Sequence, residues 1–229
     1  MIARAFEAAG CADNAVIFAS GVSNSSESSG NEFERERVLL EDCLKNLHGK
    51  TIVYFSSCAL VDNNMVSVPY YKHKHDMEEY VKSSYNYIIV RLPQLIGKTH
   101  NPHTILNYFK NHIEAGDDVK VQSGAYRYFI DVDDVVVFVC SLLALGKINL
   151  LLDFANPVRY SAEAVFLTVA QCLGKDDPEY TVIEGGVAYE IDFKEMNYCL
   201  DECGLDFNFG ENYFQMKLGH MSNSNETVL

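Results

Sequence analysis

The chain has few cations, no long apolar run and no patterned set of cysteines, and each lack closes off a class of protein. Lys plus Arg number 18 against 32 Asp plus Glu, a formal net charge of −14. With no cation excess to displace counterions, non-specific binding to a nucleic-acid backbone is excluded, while a local basic pocket is not. No stretch approaches the roughly 18 apolar residues of a membrane-spanning helix. The richest stretch, Val135 to Leu145, is broken by Cys140 and Ser141 and reads as a buried helix. Met1 to Asn14 carries Arg4 but no apolar core, so it does not read as a signal peptide. The cysteines are Cys11, Cys43, Cys58, Cys140, Cys172, Cys199 and Cys203, an odd and irregular set. They point to free thiols in a reducing cytoplasm. Cys199 and Cys203 stand four apart with no second pair at zinc-finger spacing, so they read as helix-face residues. His73, His75, His100 and His103 show no i, i+4 ligand pair, and no metal is expected. No internal repeat is found.

What is present is an ordinary globular composition, 48% apolar and 22% charged over 229 residues. That length suits one large domain, or a domain with a smaller lobe. The order of elements then sets the class. Met1 to Ala9 has helical composition and stops at Gly10. Ala15 to Ala19 is a short apolar run of buried-strand type. After the Ser/Gly/Asn loop 20–30, Asn31 and Glu34 read as a capping pair opening a helix that buries Phe33, Leu40, Cys43, Leu44 and Leu47. Strands follow at 50–56 and 87–92, with a helix at 71–82 between them. Strand, helix, strand, helix, strand at this spacing predicts βαβ crossovers and a parallel sheet. Further on, helices are expected at 102–115, 135–145 (capped by Asp133), 161–173 and 193–203. Strands are expected at 119–121, 128–131, 150–155 and 181–184, with a frayed polar tail from His220 to Leu229.

Tyr70 and Lys74 form a Tyr-x-x-x-Lys, but so do Tyr213 and Lys217, and bare spacing carries little in a chain with 14 tyrosines. Context separates the two. The first pair follows Pro69, opens a helix, and stands a dozen residues after a strand ending Phe55-Ser-Ser-Cys58. It is followed by the strand Ile-Ile-Val-Arg-Leu-Pro-Gln-Leu-Ile-Gly97. Together with Val16-Ile-Phe-Ala-Ser-Gly21 and Arg127-Tyr-Phe-Ile-Asp-Val-Asp-Asp-Val135, this order resembles the extended short-chain dehydrogenase/reductase family. More narrowly, it resembles the NAD-dependent epimerase/dehydratase group acting on nucleotide sugars. The resemblance covers roughly residues 1–174.

The resemblance implies an α/β fold: a Rossmann-like parallel sheet with a small C-terminal substrate-binding lobe. The expected division is 1–97 with 128–155 returning to it, and 98–127 with 156–229 as lobe and tail. It implies NAD or NADP as cofactor, lined by Ala19, Ser20, Gly21, Ser56, Tyr70, Lys74 and Pro93. It implies Tyr70 as the proton-moving phenol and Lys74 as the cation that lowers its pKa and holds the ribose. The family's catalytic Ser or Thr falls on Cys58, with Ser57 beside it. Gln94, Thr104 and Arg127 would contact the substrate, Arg127 at the nucleotide diphosphate. A homodimer through 33–47 and 71–82 and a role in surface-polysaccharide sugar synthesis follow by analogy. Two departures stand against this. The first strand and the Gly-x-Gly loop that seats the pyrophosphate are missing, Met1-Ile-Ala3 resembling the residues just after such a loop, so weak dinucleotide affinity is expected. Cys58 replaces a hydroxyl with a weaker donor. The competing expectation is a non-catalytic sugar-nucleotide-binding or scaffold relative, with thiol-based redox regulation a distant third.

Overall fold

The computed structural model describes residues 1–10, 14–84, 86–99 and 101–223, with side chains through 219. Cys11, His100 and the tail 224–229 lie outside the described residues. In chain order the first elements are α1 (Ile2–Ala9), β1 (Ala15–Phe18), α2 (Gly30–Lys45), β2 (Thr51–Ser57), α3 (Pro69–Lys82) and β3 (Tyr87–Leu92). Next come β4 (Gln94–Ile96), α4 (Ile105–Ala115), β5 (Val119–Gln122), β6 (Tyr126–Arg127), β7 (Phe129–Asp131) and α5 (Val132–Ala144). The last are β8 (Leu150–Asp153), β9 (Tyr160–Ser161), α6 (Ala162–Cys172), β10 (Tyr180–Ile183), α7 (Lys194–Cys203) and α8 (Tyr213–Asn223).

The elements gather into two compact units, 1–93 with 132–154 and 190–207, and 94–131 with 155–189 and 208–229. In the first, β1, β2, β3 and β8 form a four-stranded sheet in that order, every pairing parallel. This is the Rossmann-like parallel sheet expected, with α2 and α3 as crossovers. Side chains alternate across the central strand β2. Ile52 and Tyr54 face a cluster built from Phe18, Leu40, Leu47, Met77, Val81 and Ile89, so α2 and α3 cover one side. Phe55 points the other way, against Phe6 of α1 at 5.7 Å. Each fully buried large apolar side chain contributes about 1.5–3 kcal/mol, so this double-sided burial fixes β2 in the middle of the unit. Segment 190–207, assigned to the lobe on sequence, returns to the first unit because α7 buries Met196, Cys199 and Leu200 against α5 and β8.

The second unit is built from three two-stranded pairings, β10 with β5, β4 with β7 and β6 with β9. Helices α4 and α6 pack there through Phe109 and Phe166, ring centroids 5.4 Å apart. Tyr213 is fully buried in this unit, its hydroxyl accepting from the Asp131 amide at 2.9 Å. Its spacing to Lys217 is therefore a packing feature of α8, a helix not anticipated in the sequence. Cys43, Cys58, Cys199 and Cys203 are free thiols. Cys140, half-buried on α5, is disulfide-bonded, which corrects the expectation of free thiols throughout.

Candidate active site

In a parallel sheet all strands end on one edge, and that edge is where open α/β sheets bind ligands. Here the edge carries Ala19–Gly21 after β1, Ser56 and Ser57 at the end of β2, and Pro93 after β3. Chain direction leaves Ser57 to start a 3-10 turn over Cys58–Val61, its hydroxyl accepting from Ala59 N at 3.3 Å. A second turn, Asn63–Ser67, leads to Pro69 at the first position of α3, where a missing N–H costs nothing. Tyr70, His73, Lys74, Met77, Glu78 and Val81 form the buried stripe of α3. Their i, i+3, i+4 spacing is that of a core face, yet the stripe carries Lys74, Glu78 and the polar ring of His73, so each must find a partner.

Lys74 finds Glu36 of α2. Its ammonium donates to Glu36 Oε1 at 3.0 Å and Oε2 at 3.4 Å, and to the Tyr54 hydroxyl at 3.2 Å. Glu36 is fully buried and also accepts from Val22 N at 2.6 Å and Tyr54 OH at 2.7 Å. His73 Nε2 lies 3.0 Å from Oε2; an ionised carboxylate only accepts, so Nε2 carries the proton. Burial opposes ionisation of Glu36, but the bonds from His73, Lys74, Tyr54 and Val22 outweigh it and hold the carboxyl down at about 2. Lys74 is pushed below its ordinary value by burial, with Glu36 pulling the other way. Tyr70 is buried, and burial, Tyr71 and Glu36 all raise its phenol above the ordinary value. In this arrangement Tyr70 is a proton donor, and Lys74 is compensated by Glu36 rather than free to lower Tyr70.

The Ala19–Gly21 loop is tied to the same cluster. Arg35 donates to Ser20 O at 3.3 Å, one residue before Glu36 takes Val22 N. A Cβ added at Gly21 would lie 2.6 Å from Lys74 Nζ and 3.1 Å from Glu36 Oε1, so the ion pair packs directly on this glycine. Farther along α3, Glu78 takes Arg91 of β3 in a bidentate pair at 2.8 and 2.7 Å. Asp153 pairs in register with Arg91, and one of its oxygens, Oδ1, has no hydrogen-bond partner. Burial raises Asp153 to about 6 against the opposing pull of Arg91 and Cys58.

Cys58 belongs to that second cluster. It is fully buried, its thiol donates to the Arg91 carbonyl at 3.1 Å, and burial and Asp153 push its pKa well up. Cys58 is thus held within the fold, and its neighbour Ser57 is half-buried. Thr104 is likewise committed, as the N-cap of α4 that accepts from Asn107 N and donates to Asn101 O, both at 3.3 Å. Gln94 is half-buried at the start of β4, and Arg127 in β6 spends Nη1 on Tyr126 O and Val187 O, at 2.8 and 3.0 Å. Gln94, Thr104 and Arg127 stand in the second unit, and the Tyr70 cluster stands in the first. An open cavity of about 400 Å³ lies at the amino ends of β2 and β3, lined by Leu44, Leu47, His48, Lys50 and Tyr80 among others, and holds none of these residues.

A profile of the NAD-dependent epimerase/dehydratase family matches residues 3–149, more than half of the chain. The chain belongs to this family. Similar solved structures agree in fold. A UDP-N-acetylglucosamine 4-epimerase from Methanobrevibacter ruminantium is 19% identical with a TM-score of 0.71, over 91% of this chain and 75% of that one. A Thermus thermophilus UDP-glucose 4-epimerase solved with NAD is 16% identical with a TM-score of 0.66, over 98% and 82%. A dTDP-glucose 4,6-dehydratase from Bacillus anthracis, also with NAD, is 15% identical with a TM-score of 0.68, over 92% and 73%. No curated protein matches the sequence.

The residues present fit the nicotinamide end of such a cofactor in kind and in place. Ser56, buried at the end of β2 and by strand alternation on the Tyr54 face, has a hydroxyl with no partner, an orphan that a ligand could satisfy. This epimerase/dehydratase-family chain also carries Tyr70 and Lys74 one turn apart on α3. Sequence reasoning missed Glu36, Tyr54, His73, Glu78, Arg91 and Asp153. A signal existed for the first: Glu36 falls three residues after Phe33 and four before Leu40, on the apolar stripe of α2.

Proposed function

We propose that the protein modifies a nucleotide sugar with NAD or NADP, by epimerisation, dehydration or reduction, and that Tyr70 moves the proton. One observation carries the reading: Tyr70 and Lys74 are buried one turn apart on α3, at the carboxyl edge of a parallel sheet, in a member of this family. Ser56, Tyr70, Lys74 and the Ala19–Gly21 and Pro93 backbone would hold the cofactor, which when bound supplies hydride exchange at its nicotinamide ring. Tyr70, a phenol in this arrangement, gives a proton to the sugar oxygen or, once ionised, takes one. Ser57 holds that oxygen by its hydroxyl. Lys74, once a bound cofactor draws it from Glu36, would lower the Tyr70 pKa by its charge. Gln94 offers an amide to the sugar. Arg127 offers its remaining guanidinium N–H groups to the diphosphate, for which a planar fork is suited.

The activated product is a glycosyl donor, and we assign it to surface-polysaccharide synthesis in the cytoplasm. We include a homodimer through the outer faces of α2 and α3, where Val38 and Leu39 are 49% and 43% exposed. A second reading, a non-catalytic sugar-nucleotide-binding or scaffold relative, draws on the Lys74–Glu36 pair, which engages the lysine elsewhere. Proton NMR separates the two. The purified chain with NAD and UDP-glucose, UDP-N-acetylglucosamine or dTDP-glucose produces a changed sugar under the first reading. Under the second, one of these sugars shows saturation-transfer contact with the protein and remains unchanged.

A further inference from the structure

We propose that Glu36 is the positioning residue of the Tyr70–Lys74 pair: it clamps the lysine ammonium under the loop after β1, and so decides whether that charge acts on Tyr70. The proposal rests on the reading of Tyr70 and Lys74 as the proton-moving pair. Its ground is geometric. The Glu36 carboxylate gathers donors from the β1 loop (Val22 N), from β2 (Tyr54 OH) and from α3 (His73 and Lys74), all within 3.0 Å at closest approach. The cation one turn from Tyr70 on α3 is the counter-charge that this fully buried carboxylate requires. Glu36 takes that cation as well.

The space occupied by the ammonium is the space a side chain at position 21 would require, with 2.6 Å from the built Cβ to Nζ. Loop and clamp are thus one assembly, and a ligand group drawing Lys74 away has to compete with Glu36. Tyr54 faces both members of the pair, accepting from Lys74 at 3.2 Å and interacting electrostatically with Tyr70. Arg35 and Glu78 act on Lys74, Tyr71 and Glu36 act on Tyr70, and Glu78 is itself committed to Arg91. Removing the carboxylate's charge lowers the Tyr70 midpoint whichever way the lysine responds. A retained ammonium then stabilises the phenolate, and a lysine that loses its proton still leaves Tyr70 relieved of the negative charge of Glu36.

The test is a pH titration of the full chain labelled at tyrosine Cζ with carbon-13, with Tyr70 assigned by the signal missing from Tyr70→Phe. In the wild type, Tyr70 should remain a phenol beyond the ordinary tyrosine range, because burial, Tyr71 and Glu36 raise it. In Glu36→Gln its midpoint should fall by about one pH unit or more, tenfold in acid constant. Glu36→Asp, which keeps the charge, should restore the high midpoint. A Tyr70 midpoint unchanged in folded Glu36→Gln overturns the proposal, and so does a wild-type Tyr70 that ionises near neutral pH. The second result needs no variant, so a Glu36→Gln that fails to fold does not shelter the proposal. The titration involves neither cofactor nor sugar. Failure of the proton-transfer reading shows separately, as turnover that survives Tyr70→Phe.

Discussion

Gly21→Ala offers a local test of how tightly the β1 loop, Lys74 and Glu36 are locked together. Gly21 is not among the residues with positive φ, so an added methyl brings no backbone strain. On backbone grounds alone the change should stabilise by about 0.4–1 kcal/mol, through a less flexible unfolded chain. The methyl carbon would, however, sit 2.6 Å from Lys74 Nζ, 3.1 Å from Glu36 Oε1 and 3.4 Å from Glu36 Cδ. A flexible lysine tip ordinarily swings away at little cost. This one is buried and tied to a fully buried carboxylate, and breaking such a pair outright costs roughly 3–5 kcal/mol. Loosening it by about an ångström should forfeit a part of that, on the order of 1–3 kcal/mol net. Urea unfolding should therefore show Gly21→Ala below wild type by that amount, or by about 2–4 °C in Tm for each kcal/mol. Gly30→Ala is the control, since nothing lies within 4 Å of a Cβ there at the start of α2. A double-mutant cycle with Glu36→Gln should be non-additive. Gly21→Ala matching Gly30→Ala in stability, with additive behaviour in the cycle, would refute the packing argument.

Stability should also depend on pH with two opposing signs. Glu36 is depressed from 4.5 to about 2, so its contribution is present above pH 4.5 and is lost as pH falls towards 2; Glu36→Gln should flatten that loss in urea melts. Asp153 is raised from 3.8 to about 6, so folding favours its protonated form and stability declines as pH rises through that window; Asp153→Asn should abolish the decline. Ser57→Ala should lower kcat by roughly 10- to 100-fold with a small change in Tm, from loss of a hydrogen bond of about 1.5–3 kcal/mol to a developing charge. Cys58→Ser, which can keep the bond to the Arg91 carbonyl, should leave kcat within about twofold, since a group that touches no reacting atom carries no transition-state term. Tyr213→Phe should cost about 1 kcal/mol of stability, from the Asp131 amide left unpaired, and nothing in turnover.

The parallel sheet was legible because its strands are short apolar runs bounded by turn residues; the boundaries of β3 match the expected 87–92 to the residue. Caps were less so. Ser29 caps α2, not the Asn31–Glu34 pair, because its hydroxyl reaches Asn31 N while Asn31 already lies inside the helix. Helix α8 escaped notice because its apolar residues Tyr213, Phe214 and Leu218 run into Gly219 and a Ser/Asn-rich end. The site was legible as one helix, Tyr70 to Lys74, since that spacing is local. Its wiring was not, because Glu36 stands 38 residues from Lys74 and Arg91 stands 13 from Glu78. Only the presence of charge on two apolar stripes announced that such partners were needed, and a stripe does not say which partner it meets. The burial of Cys58 was hidden for a related reason. Aligned motifs give an order along the chain, whereas the 3-10 turn that follows β2 turns residue 58 inward.

The central claim, that Tyr70 moves the proton in a nucleotide-sugar reaction, is tested most directly by one rate comparison. Wild type and Tyr70→Phe are incubated with saturating NAD and whichever of the three nucleotide sugars the wild type converts, and product is followed by NMR, with Tm recorded for both. The account predicts a fall in kcat of roughly 10² to 10⁴ at unchanged fold, the loss expected for a general acid or base. Equal rates in the two proteins would contradict it.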